Sequence, residues 1–151
     1  MDDEAYMDLA LALAQQGETE GEVPVGAIVV APSGEIIGRG YNSPIASQDP
    51  TAHAEIVALR EAARTLGNYR LAGCTLYATL EPCPMCAGAA VHARVARLVF
   101  GARDLRFGGV RSKFQLADSE LLNHRMAIAE GVRAPQCVDL LESFFRRRRS
   151  V

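Results

Sequence analysis

This sequence lacks long hydrophobic runs, cysteine-rich segments and low-complexity stretches. Although 49% of its 151 residues are hydrophobic, no apolar run approaches the length of about 20 residues that spans a membrane. The acidic start, Met1 to Glu4, is unlike a secretory signal. Only four cysteines are present, so a disulfide framework is not expected and the composition fits a reducing cytoplasm. Without a repeat or a linker, residues 1–151 are predicted to form a single domain.

Basic residues are absent from the first 38 residues, which carry eight acids. The last 61 residues, in contrast, hold twelve bases and six acids, so the formal net charge of −2 averages over a positive C-terminal third. Fifteen of the sixteen bases are arginine, the side chain suited to forked phosphate contacts and base stacking. The run from Arg146 to Arg149 therefore indicates contact with RNA, although a solvated helix end gives the same pattern.

Short apolar runs alternate with helical patterns along the chain, which predicts an α/β fold whose sheet is covered by helices on both faces. Helices are predicted at 4–16, 51–66, 85–93, 116–124 and 135–149, and strands at 25–30, 35–41, 74–80, 97–101 and 126–130. The residues from 42 to the second helix and from 104 to 112 are predicted as loops. Asp49, Pro50 and Thr51 are interpreted as the start of the second helix.

Cys83 and Cys86 form a C-x-x-C pair that opens a predicted helix. This spacing places two thiolates on one side of the first turn, where both can bind one metal ion. The pair alone is ambiguous, because a redox pair, half of a zinc ribbon or a chance occurrence gives the same spacing. Because no second C-x-x-C exists and Cys74 and Cys137 are isolated, a third ligand has to come from elsewhere, and His53 is the best candidate. Two cysteines and one histidine leave one zinc position open to water, as in catalytic sites.

Glu55 lies two residues after His53, about 200° further around a helix. Both side chains can face one centre only if that centre lies at the helix end. Helix N-termini at both segments would direct partial positive charge at the metal and favour thiolate over thiol. A carboxylate in that position is a candidate general acid and base. The alternative is an ordinary acidic residue in the first turn of a helix.

The combination of His53-Ala54-Glu55 with Pro82-Cys83-Pro84-Met85-Cys86 resembles the zinc-dependent nucleoside and nucleobase deaminases. The similarity to the bacterial tRNA-specific adenosine deaminases extends over nearly the whole chain, through the segments 22–27, 49–56, 68–71, 99–104, 123–125 and 144–146. The resemblance implies a three-layer α/β/α fold of the cytidine-deaminase type with a mixed sheet of roughly five strands. It also implies a homodimer, with the third predicted helix near the contact.

From this resemblance, one zinc ion per chain would be held by His53, Cys83 and Cys86, and Glu55 would transfer protons during hydrolysis of an adenine amino group. The expected substrate is the wobble adenosine of a tRNA anticodon stem-loop, whose base can be splayed out without opening a duplex. The expected products are inosine and ammonia. The family further implies base-reading positions at Asn42 and Ala54, and anticodon-loop contacts at Asp104, Arg106, Phe145 and Arg146.

Three other functions fit parts of the sequence. A guanine deaminase, or another nucleobase or nucleotide deaminase, would share the scaffold, but the arginine run and the segment Asn123-His124-Arg125 favour the tRNA enzyme. Deamination of a pyrimidine nucleoside is the second alternative, but small cytidine deaminases usually bind zinc through a cysteine where this chain has His53. A non-enzymatic, zinc-stabilised RNA-binding module would not need Glu55. The sequence does not separate structural from functional roles for His124 and Glu81. At least one of the two residues Phe144 and Phe145 is expected in the core.

Overall fold

The computed structural model describes residues 1–149 and contains five helices and five strands within that range. The helices are α1 (Asp3–Thr19), α2 (Pro44–Ser47), α3 (Ala54–Leu66), α4 (Pro84–His92) and α5 (Ala134–Arg149). The strands are β1 (Gly26–Val30), β2 (Ile36–Tyr41), β3 (Thr75–Leu80), β4 (Arg97–Ala102) and β5 (Ala127–Glu130). Within the described range, every helix is too short or too polar to cross a membrane.

The strands form a mixed sheet in the order β2-β1-β3-β4-β5. β1 runs antiparallel to both β2 and β3, whereas β3, β4 and β5 run parallel to one another. As a result, β2, β3 and β4 all end at the same edge of the sheet. Asn42, Cys83 and Asp104 each follow one of these three strands, and open α/β sheets usually carry their sites beyond the carboxyl ends of strands.

Side chains that alternate along the strands build a hydrophobic core on each face of the sheet. Val29 and Leu76 pack with residues of α3 and α4, while Ile28 and Val99 pack with residues of α1. α5 contacts both α1 and β4, and so lies on the same face as α1. This arrangement confirms the predicted three-layer α/β/α fold.

Glycines in β1 and β2 allow two helices to lie directly on the sheet. A Cβ atom at Gly26 would lie 1.9 Å from the carbonyl oxygen of Ala10 in α1, and one at Gly40 would lie 2.4 Å from the carbonyl oxygen of Ala54 in α3. Any larger residue would have to push the helix away from the strand. The close approach at Gly40 fixes the start of α3 beside the end of β2, just before Asn42.

Polar contacts hold α5 against the C-terminal part of α1. Arg147 pairs with Glu18 at 2.5 Å, and Arg148 donates to the carbonyl oxygen of Gly21 at 2.6 Å. The guanidinium of Arg148 also lies over the ring of Phe144, 4.9 Å from its centroid. Arg147 and Arg148, both in the predicted RNA-binding run, therefore have structural partners.

The helix predicted at 116–124 is wrong, since this segment consists of turns. Asp118 pairs with the guanidinium of Arg111 at 2.9 Å, and the carbonyl oxygen of Asp118 accepts a hydrogen bond from Arg125. These contacts give the segment partners outside a helical hydrogen-bond ladder. The short helix α2, conversely, lies in a segment that was predicted as a loop.

Candidate active site

The structure brings His53, Cys83 and Cys86 together at the edge of the sheet where β3 ends. The Nδ1 atom of His53 lies 3.6 Å from the Sγ of Cys83 and 3.5 Å from the Sγ of Cys86, and all three atoms lie within 4.8 Å of one another. A tetrahedral site with zinc–nitrogen bonds of about 2.0 Å and zinc–sulfur bonds of about 2.3 Å requires a nitrogen-to-sulfur distance of about 3.5 Å. The three residues therefore fit a zinc ion, to which they would supply three of four ligands.

Two helix N-termini position His53, Cys83 and Cys86, which are called the metal-binding group below. His53 precedes the first turn of α3 with an extended backbone (φ −70°, ψ 152°), and Cys83 precedes α4 in the same way (φ −72°, ψ 173°). Pro84 occupies the first helical position of α4, where its fixed φ and missing N–H are tolerated. Neither His53 nor Cys83 caps its helix through a side-chain hydrogen bond. Both side chains are therefore available to the metal-binding group, and the helix dipoles favour thiolate there.

α3 begins at Ala54, later than predicted. Asp49 accepts hydrogen bonds from the N–H and the hydroxyl of Thr51, at 2.9 and 2.7 Å, and this closes a local turn before the helix. The segment Asp49-Pro50-Thr51 thus shapes the approach to α3 and does not cap it. The turn leaves His53 as the residue that precedes the first helical turn.

Hydrogen bonding distinguishes the two cysteines. The pKa of Cys83 is lowered to about 4, because the Cys86 thiol donates to its sulfur and His53 lies beside it, which together outweigh burial. The pKa of Cys86 is raised, since its thiol is bonded to Cys83 and is buried. The hydrogen bond with Cys83 also raises the pKa of His53. The group thus favours a thiolate at Cys83, the form that binds a metal ion.

Glu55 lies in the first turn of α3 and is only 4% exposed. Burial raises the pKa of its carboxyl group to about 7, and the negative charge of Cys83 acts in the same direction. A carboxyl group that titrates near neutral pH can both accept and return a proton. The structure therefore places a residue suited to acid–base catalysis beside the metal-binding group.

Asn42 and Ala54 contact each other where β2 meets α3. The Ala54 N–H donates to the Oδ1 of Asn42 at 2.9 Å. This bond points the Oδ1 atom of Asn42 toward α3. The Nδ2 group, on the other arm of the amide, points away from α3 and can donate hydrogen bonds. The N–H of Ala54, one of the two predicted base-reading positions, is thus engaged by Asn42, and this bond orients the side chain of Asn42.

Glu22 is a buried residue that the sequence did not single out. It is 2% exposed, and its carboxylate accepts hydrogen bonds from the N–H groups of Ile45 and Ala46 at 3.3 and 2.9 Å. Both amides belong to α2, which connects Asn42 to the turn before His53. Glu22 therefore holds the segment that joins the predicted base-reading and metal-binding residues.

Two neighbouring cavities lie beside Glu22 and α2, and together they are called the arginine groove. The larger, of about 880 Å³, is lined by all four residues predicted to contact an anticodon loop, Asp104, Arg106, Phe145 and Arg146. The smaller, of about 380 Å³, is lined by Asn42 and shares Val23, Phe145 and Arg148 with the larger. The structure thus brings these predicted positions to one continuous surface. Phe144 is buried and Phe145 is 44% exposed, as expected for one core residue in the pair.

Structural partners account for the two residues whose roles the sequence left open. The Nε2 of His124 donates to the carbonyl oxygen of Val95 at 2.6 Å, so His124 fastens a turn to the start of β4. Glu81 is 1% exposed, and its carboxylate accepts hydrogen bonds from the loop that follows β4. Sequence patterns carry no signal for such bonds, because a main-chain N–H of any residue except proline can donate them and any main-chain carbonyl can accept them.

Comparison with known proteins identifies the family to which this site belongs. The family described as "Cytidine and deoxycytidylate deaminase zinc-binding region" matches residues 1–102. The chain belongs to this deaminase family. A tRNA-specific adenosine deaminase of Haemophilus influenzae is 50% identical to this deaminase over 147 residues, which are 97% of this chain and 85% of that protein.

Solved structures confirm the fold of this deaminase. A structure from studies of A-to-I editing by tRNA:A34 deaminases at the wobble position of transfer RNA has a TM-score of 0.87 at 39% identity, covering 91% of this chain and 99% of that chain. A guanine deaminase from Nitrosomonas europaea has a TM-score of 0.83 at 27% identity, covering 95% of this chain and 84% of that chain. The predicted deaminase class is therefore confirmed, and its relatives include proteins named for tRNA and for guanine.

Proposed function

We propose that this deaminase hydrolyses the amino group of the wobble adenosine in a tRNA anticodon loop. The observation that carries the proposal is the arginine groove, because its walls bring Asp104, Arg106 and Phe145 together beside the cavity lined by Asn42. A groove with arginine and aromatic side chains suits a single-stranded RNA loop better than a free base. The tRNA-specific adenosine deaminase from Haemophilus influenzae, 50% identical over 97% of the chain, supports the same substrate.

His53, Cys83 and Cys86 are the residues that would hold one zinc ion per chain. When bound, zinc supplies a water of lowered pKa that is nucleophilic near neutral pH. Glu55 takes a proton from the attacking water as C6 of adenine gains a bond to oxygen. Glu55 delivers this proton to the ring nitrogen. It then takes the second proton from the hydroxyl on C6 as the C6=O bond forms and passes it to the amino nitrogen, so that the C6–N bond breaks. One water is consumed, and inosine and ammonia are formed.

The remaining predicted residues hold the RNA while the base reacts. Asn42, oriented by its bond to the Ala54 N–H, donates through Nδ2 to an acceptor on the base. Asp104, Arg106, Phe145 and Arg146 contact the nucleotides around the target from the wall of the larger cavity. A single-stranded loop fits this division, because its target base can leave the stack without breaking a duplex.

The assembly and location are also proposals. We propose that residues 1–151 form one domain that works as a homodimer through α4. On the surface of this helix Met85 is 36% exposed, and a Cβ atom at Gly88 would meet no heavy atom outside the helix within 4 Å. Four free cysteines fit a reducing cytoplasm. Sedimentation analysis of the active protein tests the assembly, and a strictly monomeric active enzyme would contradict it.

An assay with a defined RNA tests the proposed reaction. Purified, zinc-loaded protein is incubated with an anticodon stem-loop of an arginine tRNA that carries a wobble adenosine, and the nucleosides are analysed by mass spectrometry. We expect inosine at the wobble position, and no change in a matched stem-loop with guanosine there. Guanine is tested in parallel for ammonia release. Release of ammonia from guanine without any inosine in the RNA would favour the free-base enzyme instead.

A further inference from the structure

Glu81 lies between the end of β3 and Cys83 and is 1% exposed. Its carboxylate accepts five hydrogen bonds, all of them from the loop 104–112. Oε1 accepts from the N–H of Asp104 at 3.1 Å and from the hydroxyl of Ser112 at 2.5 Å. Oε2 accepts from the N–H groups of Val110, Arg111 and Ser112 at 3.1, 2.7 and 2.9 Å. One carboxylate is therefore hydrogen-bonded to both ends of this loop and holds them together.

The loop held by Glu81 forms one wall of the arginine groove. Its residues 104–107 line the larger cavity. Asp104 in turn accepts hydrogen bonds through Oδ1 from the N–H groups of Arg106 and Phe107, at 3.0 and 3.1 Å. The N–H of Asp104 is itself bonded to Glu81, so the position of Arg106 follows from the position of Glu81.

The same loop lies directly on the turn that carries Cys83. A Cβ atom at Gly108 would lie 2.4 Å from the carboxylate of Glu81, and one at Gly109 would lie 2.7 Å from the backbone nitrogen of Pro84. The N–H of Gly109 also donates to the carbonyl oxygen of Pro82 at 2.8 Å. The groove wall and the metal-binding turn are thus packed without an intervening side chain.

We propose that Glu81 is a positioning residue that sets the wall of the arginine groove relative to the metal-binding group, and so shapes the surface that binds the anticodon loop. This inference rests on the proposed function. Glu81 itself contacts main-chain amides of the enzyme and acts on the substrate through the loop 104–112. Its contribution is to the affinity for RNA, not to proton transfer.

The variant Glu81→Gln tests this role, because it keeps the size of the side chain and replaces one acceptor oxygen with an amide that cannot accept from a main-chain N–H. We expect the KM for the anticodon stem-loop to rise about tenfold, the size expected when a charge-assisted hydrogen bond is lost. We expect kcat at saturating RNA to change much less and the zinc content to stay constant. A fall in kcat with an unchanged KM would overturn the proposal.

A double-mutant cycle with Arg106→Ala separates positioning from general stability. If Glu81 acts through the loop, the effects of Glu81→Gln and Arg106→Ala on KM will not be additive, whereas additive effects would contradict the inference. Asp3→Asn is the matched control. Asp3 is also a carboxylate that accepts hydrogen bonds, from Tyr77 and Arg97 at 2.7 Å, but it lies at the end of the sheet away from the site. It should lower stability and leave the KM unchanged.

A second variant and the activity of the unmodified protein complete the test. If Glu81→Gln does not fold, Ser112→Ala removes one of the five donors to Glu81 and should raise the KM in the same direction by a smaller factor. An unchanged KM in Ser112→Ala would then count against the proposal. Failure of the unmodified protein to form inosine would refute the proposed function, while normal activity with an unchanged KM in the variants would refute only the role of Glu81.

Discussion

Glu22, Glu55 and Glu81 are all buried, and their partners give them different roles. Glu22 and Glu81 accept hydrogen bonds from main-chain amides and hold loops. Glu55 lies beside the metal-binding group, and burial raises the pKa of its carboxyl group to about 7. The sequence predicted a role for Glu55 because it is two residues from His53. It could not predict the partners of Glu22 and Glu81, since the donating amides are remote in the chain and can belong to any residue type.

Replacing Glu55 tests the proton-transfer step. Glu55→Gln keeps the size of the side chain but removes the group that accepts and returns protons, so we expect inosine formation to fall by a factor of about 10² to 10⁴. The zinc content should be unchanged, because His53, Cys83 and Cys86 remain. The measurements are the single-turnover rate and the bound metal after gel filtration.

Glu61→Gln is the matched control for that experiment, since Glu61 is also on α3 and accepts from the N–H of Arg39 at 3.1 Å. It should deaminate the stem-loop at nearly the normal rate. Removal of zinc with a chelator should abolish activity, and restored zinc should recover it only where Glu55 is present. Substantial deamination by Glu55→Gln would show that another group moves the protons.

At the scale of secondary structure, α1 is fastened to the sheet through its first turn. Asp3 accepts from the hydroxyl of Tyr77 in β3 at 2.7 Å and from the guanidinium of Arg97 in β4 at 2.7 and 2.6 Å. The hydrogen bonds from Arg97 are the main cause that lowers the pKa of Asp3 below 3.8, against the effect of burial. Because the folded-state pKa is lowered, this contact contributes stability above pH 3.8 and loses it as the pH falls through the folded-state pKa.

The variant Asp3→Asn should therefore show a pH-dependent loss of stability. Near pH 7 we expect the free energy of unfolding to fall by about 1–2 kcal/mol, which lowers the melting temperature by a few degrees. Near pH 3 the difference between the variant and the unmodified protein should shrink. Urea unfolding at both pH values measures it. Asp139→Asn on the exposed side of α5 should change stability by less than about 0.5 kcal/mol at either pH, and an equal loss for Asp3→Asn at both pH values would contradict the assignment.

The elements that the sequence predicted well are those with a strong hydrophobic pattern. The five strands and the helices α1, α3, α4 and α5 all lie close to their predicted ranges. The errors occur where polar contacts decide the backbone: Asp118 pairs with Arg111 in the segment predicted as a helix, and Glu22 holds α2 in a segment predicted as a loop. These contacts join residues 7 and 24 positions apart in the chain, which is outside the three- and four-residue spacing of a helical pattern, so periodicity does not report them.

At the scale of the whole molecule, charge is divided along the chain. The first 38 residues carry eight acids and no Lys or Arg, while the last 61 residues carry twelve bases. Some of these opposite charges form ion pairs within the fold, namely Arg147–Glu18 and Arg133–Asp8. Other arginines line the arginine groove, so a molecule with a net charge of −2 still has an arginine-rich surface at the place proposed for RNA.

The affinity of the protein for the stem-loop should consequently decrease steeply with salt. Each phosphate contact contributes a slope of about −0.7 in a double-logarithmic plot of affinity against salt for single strands. We expect Arg106→Ala to reduce the magnitude of the slope by about one contact. Arg133→Ala should leave it unchanged, because Arg133 pairs with Glu4 and Asp8 on α1. Fluorescence anisotropy over a salt series measures these slopes, and a flat profile would exclude phosphate contacts as a main source of affinity.

The two ends of the described chain differ in what can be attached to them. Asp3 binds the starts of β3 and β4, at the edge of the sheet opposite the metal-binding group. Arg148 and Arg149, in contrast, line the arginine groove. An affinity tag or a fused reporter placed before residue 1 would therefore begin away from the arginine groove, whereas one placed after the final helix would begin beside this proposed RNA-binding surface.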